Sequence, residues 1–197
     1  MKKHTLAVLI ASLLIAVNSF AQTKPLAGDY LSVPGPVLFQ GHEYYLVWSS
    51  HPSATYYKLE YVAKGQSVER FKTMLLLEVL TGDVKVKEVV ANKLNELKQM
   101  KASNPLVNYE MFQKDGEYII DFVLTANSAD GNSTEVVEHN VYRYKSLAAQ
   151  PGLVLFAISN RAYGKDTARF LTELKTSRSL AVNAVAKFSI PAVKIKK

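Results

Sequence analysis

Two rhythms of apolar and polar positions run along this chain, one with a spacing of three to four residues and one with a spacing of two. After Gly82, the residues Val86, Val89, Val90, Leu94, Leu97 and Met100 form one apolar stripe, while Lys85, Lys87, Glu88, Lys93, Asn95, Glu96 and Lys98 fall mostly on the opposite side. That spacing predicts an amphipathic helix. Asp83 is expected to start it, because a carboxylate suits the free N–H groups and the positive end of the dipole. Ser103-Asn104-Pro105 is expected to stop it, since the proline ring disfavours helical geometry at Asn104. A second stripe, Phe170, Leu171, Leu174, Ala181, Val185 and Phe188, follows Asp166 as its cap. A break is expected near Thr176-Ser177 and an end at Pro191.

The shorter rhythm marks strands. In Tyr56 to Ala63, Tyr57, Leu59 and Tyr61 point one way and Lys58 and Glu60 the other, as in a sheet with one covered face. Tyr44 to Trp48 is a further strand, cut off by the turn-rich Ser49-Ser50-His51-Pro52-Ser53. Phe71 to Leu80 is almost wholly apolar and fits a buried strand or a short buried helix, which periodicity does not separate; a strand is preferred, because Gly82 and a separate helix follow directly. Beyond the first helix, Val107, Tyr109 and Met111 alternate with polar residues. Asp115-Gly116 supplies the positive φ angles of a tight hairpin, and Tyr118, Ile120, Phe122 and Leu124 line the return strand. Asp130-Gly131-Asn132 turns the chain into Val136 to Lys145, and Leu153 to Ile158 is apolar on both sides.

The element order predicts an α+β fold: an antiparallel β-sheet with amphipathic helices packed on it, α/β/α sandwich-like, in a single domain over residues 43–191. Residues 22–42, with Pro25, Pro34, Gly35 and Pro36, form an irregular N-terminal lead-in, and residues 192–197 form a basic C-terminal tail.

Composition adds a destination. Lys2 and Lys3 precede the apolar run Leu6 to Val17, and Ala21 stands at a plausible cleavage point, so residues 1–21 are expected to be a cleavable signal peptide. The run is shorter than the roughly 20 residues of a spanning helix. The mature protein is therefore expected to be exported, periplasmic or secreted, and soluble. The chain has no cysteine, which excludes disulfides, thiolate metal sites, cysteine nucleophiles and a lipid anchor on a processed N-terminal cysteine. A mature chain of about 175 residues buries enough apolar area to fold without a staple. The formal net charge of +7 is spread thinly apart from Lys194, Lys196 and Lys197, the only residues assigned a peripheral membrane contact. No nucleic-acid partner is expected.

From Tyr57 to Phe71 the sequence resembles a group of exported bacterial proteins in which a strand ends in a Tyr-Val-Pro-x-Gly turn and leads, through an acidic and an aromatic residue, to an apolar strand. Here Ala63 stands where that pattern often has proline, and Phe71 where it often has tryptophan. The element order is also similar to that of the Mog1/PsbP-type α/β/α sandwich. That resemblance implies binding and assembly roles rather than one shared active site.

The residues themselves offer little chemistry. His42, His51 and His139 are the histidines outside the signal, and none has the i, i+4 spacing of a helical metal pair, so no metal site is expected. His139, between Val137 and Val141, is expected on a sheet face and His51 in a surface loop. No G-x-S-x-G elbow occurs. Gly164-Lys165-Asp166-Thr167 lacks both the first glycine and the hydroxyl residue of a phosphate loop. No catalytic residue and no cofactor is assigned. The 11 tyrosines fall mainly on strands, where they suit a half-buried pleated surface or, alternatively, an aromatic platform. His51, His139, Tyr142 and Tyr144 are the candidate ligand-binding residues. The expected function is that of an exported, non-catalytic binding or accessory protein whose partner is a protein or envelope component. The alternatives are a secreted hydrolase with an uncommon His/carboxylate site, and an envelope lipid- or glycan-binding module.

Overall fold

In the computed structural model, residues 27–128, 131 and 133–196 are described. The expected signal at 1–21, Asp130 and Asn132 of the turn, and Lys197 lie outside them. Strands β1 (Val37–Phe39), β2 (His42–Ser53), β3 (Tyr56–Val62) and β4 (Thr73–Thr81) run in sequence. Helix α1 (Val86–Ser103) then carries the chain to the far edge. There β5 (Asn108–Lys114), β6 (Glu117–Asn127), β7 (Thr134–Ser146) and β8 (Gly152–Tyr163) form the expected meander, which returns towards the middle. The sheet has eight strands in the order β1-β2-β3-β4-β8-β7-β6-β5, and all neighbours are antiparallel. Leu75 sits opposite Ile158 and Leu77 opposite Phe156 at the central β4–β8 seam. These two strands are the ones apolar on both sides, and only the centre of a sheet covered on both faces accommodates them. Gly152 opens β8 because its backbone runs against β4: a Cβ there would lie 2.2 Å from the Leu80 carbonyl oxygen.

Successive side chains of a strand point to opposite faces, and the two helices draw on opposite sets. On one face Val86, Val90 and Leu97 of α1 cluster with Met74, Leu76, Ile120, Phe122, Leu155 and Ala157. On the other, Val185 of α2 (Thr167–Lys187) clusters with Leu75, Leu77, Val79, Phe156 and Ile158, and Leu174 with Val123 and Val137. Leu97 is fully buried, and Val89 and Leu94 pack against the α1-side cluster, as the stripe requires.

Several local expectations are corrected. Asp83 does not cap α1: Lys85 occupies the N-cap without a side-chain bond, and Asp83 pairs with Lys85 instead. A separate turn at Gly82 (φ +101°), closed by the Val84 N–H on the Gly82 carbonyl, holds Asp83 outside the helix. Asp166 stands at the N-cap of α2, but its carboxylate takes a hydrogen bond from Arg169 rather than from the backbone. No break occurs at Thr176-Ser177, whose hydroxyls both donate to the Glu173 carbonyl within a continuous helix. That helix ends at Lys187, before Pro191. Its end is held by Arg143, which donates to the carbonyls of Val185 (3.1 Å) and Phe188 (2.8 Å), a cation at the negative end of the dipole. The turn-rich segment after Trp48 is not a loop, since β2 continues to Ser53 and the Nδ1 of His51 donates to the Tyr56 carbonyl.

The lead-in holds β1, and the C-terminal segment lies along it. The N–H groups of Lys194 and Lys196 donate to the carbonyls of Leu31 and Tyr30 at 2.8 and 2.9 Å, while Val193 and Ile195 pack on the α2-side cluster. No helix among the described residues is long and apolar enough to cross a membrane.

Candidate functional site

Among the polar groups that interrupt the apolar faces, two built around a buried carboxylate lie on opposite sides of the sheet. Under α2, Asp121 of β6 and His139 of β7 are each 1% exposed. The Nε2 of His139 donates to Asp121 Oδ1 at 2.7 Å. Arg178 of α2 takes the other oxygen, and its Nη2 reaches the Asp121 carbonyl at 3.3 Å. A His–Asp contact is one part of a catalytic constellation. Here both carboxylate oxygens are taken, one by His139 and one by Arg178, and the helix roofs the pair. A buried ion group of this kind fixes which way an element docks; it leaves α2 one position on the sheet.

On the α1 side the arrangement is different. Tyr56, Lys58 and Glu60 alternate along β3, and Glu78 of β4 lies opposite Lys58 in register. Tyr56 Oη donates to Glu78 Oε2 at 2.8 Å, and Lys58 Nζ sits 2.9 Å from Glu60 Oε1 and 3.7 Å from Glu78 Oε1. Burial by itself would lower the Lys58 pKa, but Glu78 and Glu60 outweigh it and hold the ammonium above its ordinary value. Burial, reinforced by the Glu78 charge, pushes the phenols of Tyr56, Tyr142 and Tyr144 up.

The register of β2 on β3 shifts between Leu46 and Trp48. Leu46 accordingly packs on the α2 side and Val47 on the α1 side, and Trp48 pairs with Glu60 on that same α1 side. Trp48 is 36% exposed, with Lys58 Nζ 5.8 Å from its ring centroid. Across the strip, Lys93 of α1 stands 5.0 Å from the Phe122 ring and 5.8 Å from that of Tyr142. Beside α1, which packs on β5, β6 and β7, Lys58 and Glu60 keep 25% and 13% of their side chains exposed and Glu78 is buried, so one ammonium stands against two carboxylates in a strip edged by the Trp48 ring.

A protein-family model matches residues 31–190. The chain belongs to an uncharacterised bacterial protein family. No curated protein matches the sequence. The family span contains the whole sheet, both helices, the strip and the Asp121 group; Lys194 and Lys196 fall outside it.

Within this family member the four candidates from the sequence do not form one site. His139 lies under α2. Tyr142 and Tyr144 are on the other face of the same strand, with ring centroids 6.4 Å apart. His51 is on β2, with three strands between it and β7, and is exposed, stacked on Tyr57 with centroids 4.1 Å apart. His42 begins β2 at the exposed edge. Among the described residues, no group of three or more His, Cys, Asp or Glu is placed to hold a metal ion. Sequence reasoning missed Trp48, Glu78 and the Asp121–Arg178 pair. A signal existed for the acids: Glu78 and Asp121 are lone carboxylates inside long apolar runs, where an unpartnered charge would be too costly to bury.

Proposed function

We propose that this protein is an exported binding or accessory module of the bacterial envelope that acts by contact rather than by turnover. The half-buried strip of Trp48, Lys58, Glu60 and Glu78 beside α1 carries this reading. Its single ammonium is shared by two carboxylates and Tyr56 donates to one of them, so it offers a mildly acidic, hydrogen-bonded surface and a stacking ring but no nucleophile. The roofed His139–Asp121 pair supports the same view, because the tight His–carboxylate contact is spent on docking a helix. Helices drawing on opposite faces of one antiparallel sheet also suit the α/β/α sandwich of the Mog1/PsbP type, whose members assemble and bind.

Trp48 is the only tryptophan in the chain, so its emission reports on the strip alone. Titration with peptidoglycan fragments, lipopolysaccharide or anionic vesicles is expected to shift that emission for one class, and Trp48→Phe together with Lys58→Met to weaken the binding by calorimetry. Hydrolysis of ester, peptide or glycosidic substrates that disappears in His51→Ala or His139→Gln would replace this reading with that of a hydrolase.

A further inference from the structure

The two edges of the sheet are unequal. β1 is only three residues long and follows Pro34 and Pro36, which blunt that edge. β5, at the other edge, is seven residues long, contains no proline and pairs with β6 without a register shift. It carries Met111 (43% exposed) on one face and Phe112 (44% exposed) on the other, and Leu106 and Met100 lie exposed close by in sequence. Glu110 and Lys114 make no ion pair among the described residues. An edge of this length without protection is a template for another strand.

We propose that the occupant is a second copy of the same strand, paired antiparallel about a two-fold axis at Phe112. The Asp115-Gly116 hairpin, with both φ angles positive, closes on Lys114 opposite Glu117. A two-residue turn closes on a hydrogen-bonded pair and the two pair types then alternate, so Tyr109, Met111 and Gln113 turn their main-chain groups outward. The N–H of Tyr109 is already taken by its neighbour Asn108, at 3.0 Å from Oδ1. A two-fold at Met111 would need that N–H for Gln113 of the other copy. A two-fold at Phe112 leaves it alone, because Met111 exchanges both of its hydrogen bonds with Gln113.

The same register places Phe112 against Phe112 and Glu110 against Lys114, twice, in the closely spaced non-hydrogen-bonded positions where side chains interact best. The strand is thus complementary in charge to itself. The axis is perpendicular to the sheet, so both copies display their Trp48 strips on one side of a continuous sheet, at its two ends.

Sedimentation equilibrium of the protein as the cell processes it tests this. A concentration-dependent dimer is expected. Glu110→Lys or Lys114→Glu alone weakens it roughly tenfold or more by placing like charges opposite each other. The double exchange restores it, which a merely structural role for either residue would not do. These positions are exposed, so folding is retained and circular dichroism checks it. A protein that stays monomeric at every concentration overturns the proposal, as does a dimer indifferent to the single exchanges or unrescued by the double one.

Discussion

The groups around Asp121 and Glu78 are built from the same kinds of parts and have different fates. Each places a carboxylate from an apolar strand against a cation, on opposite faces of one sheet. At Asp121 the cation arrives from a helix and closes the group off. At Glu78 it comes from the neighbouring strand, and Lys58 and Glu60 keep part of their side chains exposed. What separates a structural ion group from a surface available to a ligand is therefore its cover rather than its composition. The cover follows from where each helix lies: α2 packs on β6, β7 and β8, whereas α1 packs chiefly on β5, β6 and β7.

The comparison breaks first at its buried member. Asp121→Ala leaves Arg178 and His139 without their shared partner and is expected to cost about 3–5 kcal/mol, measured by urea unfolding, with the fold intact only at low denaturant. The half-open group is expected to be more tolerant. Lys58→Met leaves Glu60 and Glu78 facing each other without a cation and costs about 1–3 kcal/mol. Adding Glu60→Gln and Glu78→Gln to it recovers most of that loss, which a role in packing alone would not allow. Trp48→Ala, at the exposed rim, changes stability by about 0.5 kcal/mol or less, while ligand binding measured by calorimetry falls. Equal destabilisation at Trp48 and Asp121 would remove the distinction between the two faces.

The smallest effect concerns the segment that ties the two ends of the chain together. Burial raises the Asp29 pKa, but the Lys196 ammonium at 2.7 Å and the N–H groups of Val33 and Leu31 outweigh it and hold the carboxyl below its ordinary 3.8. A group depressed in the folded state contributes stability that is present above the unfolded value and lost as pH falls through the folded one. Hydrogen-exchange protection at Lys194 and Lys196 is therefore expected to hold near neutrality and to fade only below about pH 3.8, with Lys196→Ala reducing it throughout.

Much of this fold was legible in the residues. The stripe from Val86 to Leu97 and the alternation in β3 each identify an element and the side it buries. The Asp115-Gly116 turn gave the β5–β6 hairpin directly, because both backbone angles demand it. Asp83 misled, because a carboxylate next to a helix is a cap only if the intervening turn brings it to the first N–H groups, and the Gly82 turn does not. His51 misled in the same way: proline and serines beside it look like a loop, yet pairing with β3 keeps the segment extended to Ser53.

Local chemistry fixes local geometry, so the chain alone settles which segments are strands and helices, which sides of them avoid water, and that no thiol chemistry is available. It does not settle partners. Pairing β8 with β4 brings residues about 80 positions apart into contact, and nothing in either strand names the other, since any two apolar strands bury comparable area. Arg178 meeting Asp121, Glu78 meeting Lys58 and the bareness of β5 all follow from that long-range choice, and only the assembled sheet reveals them.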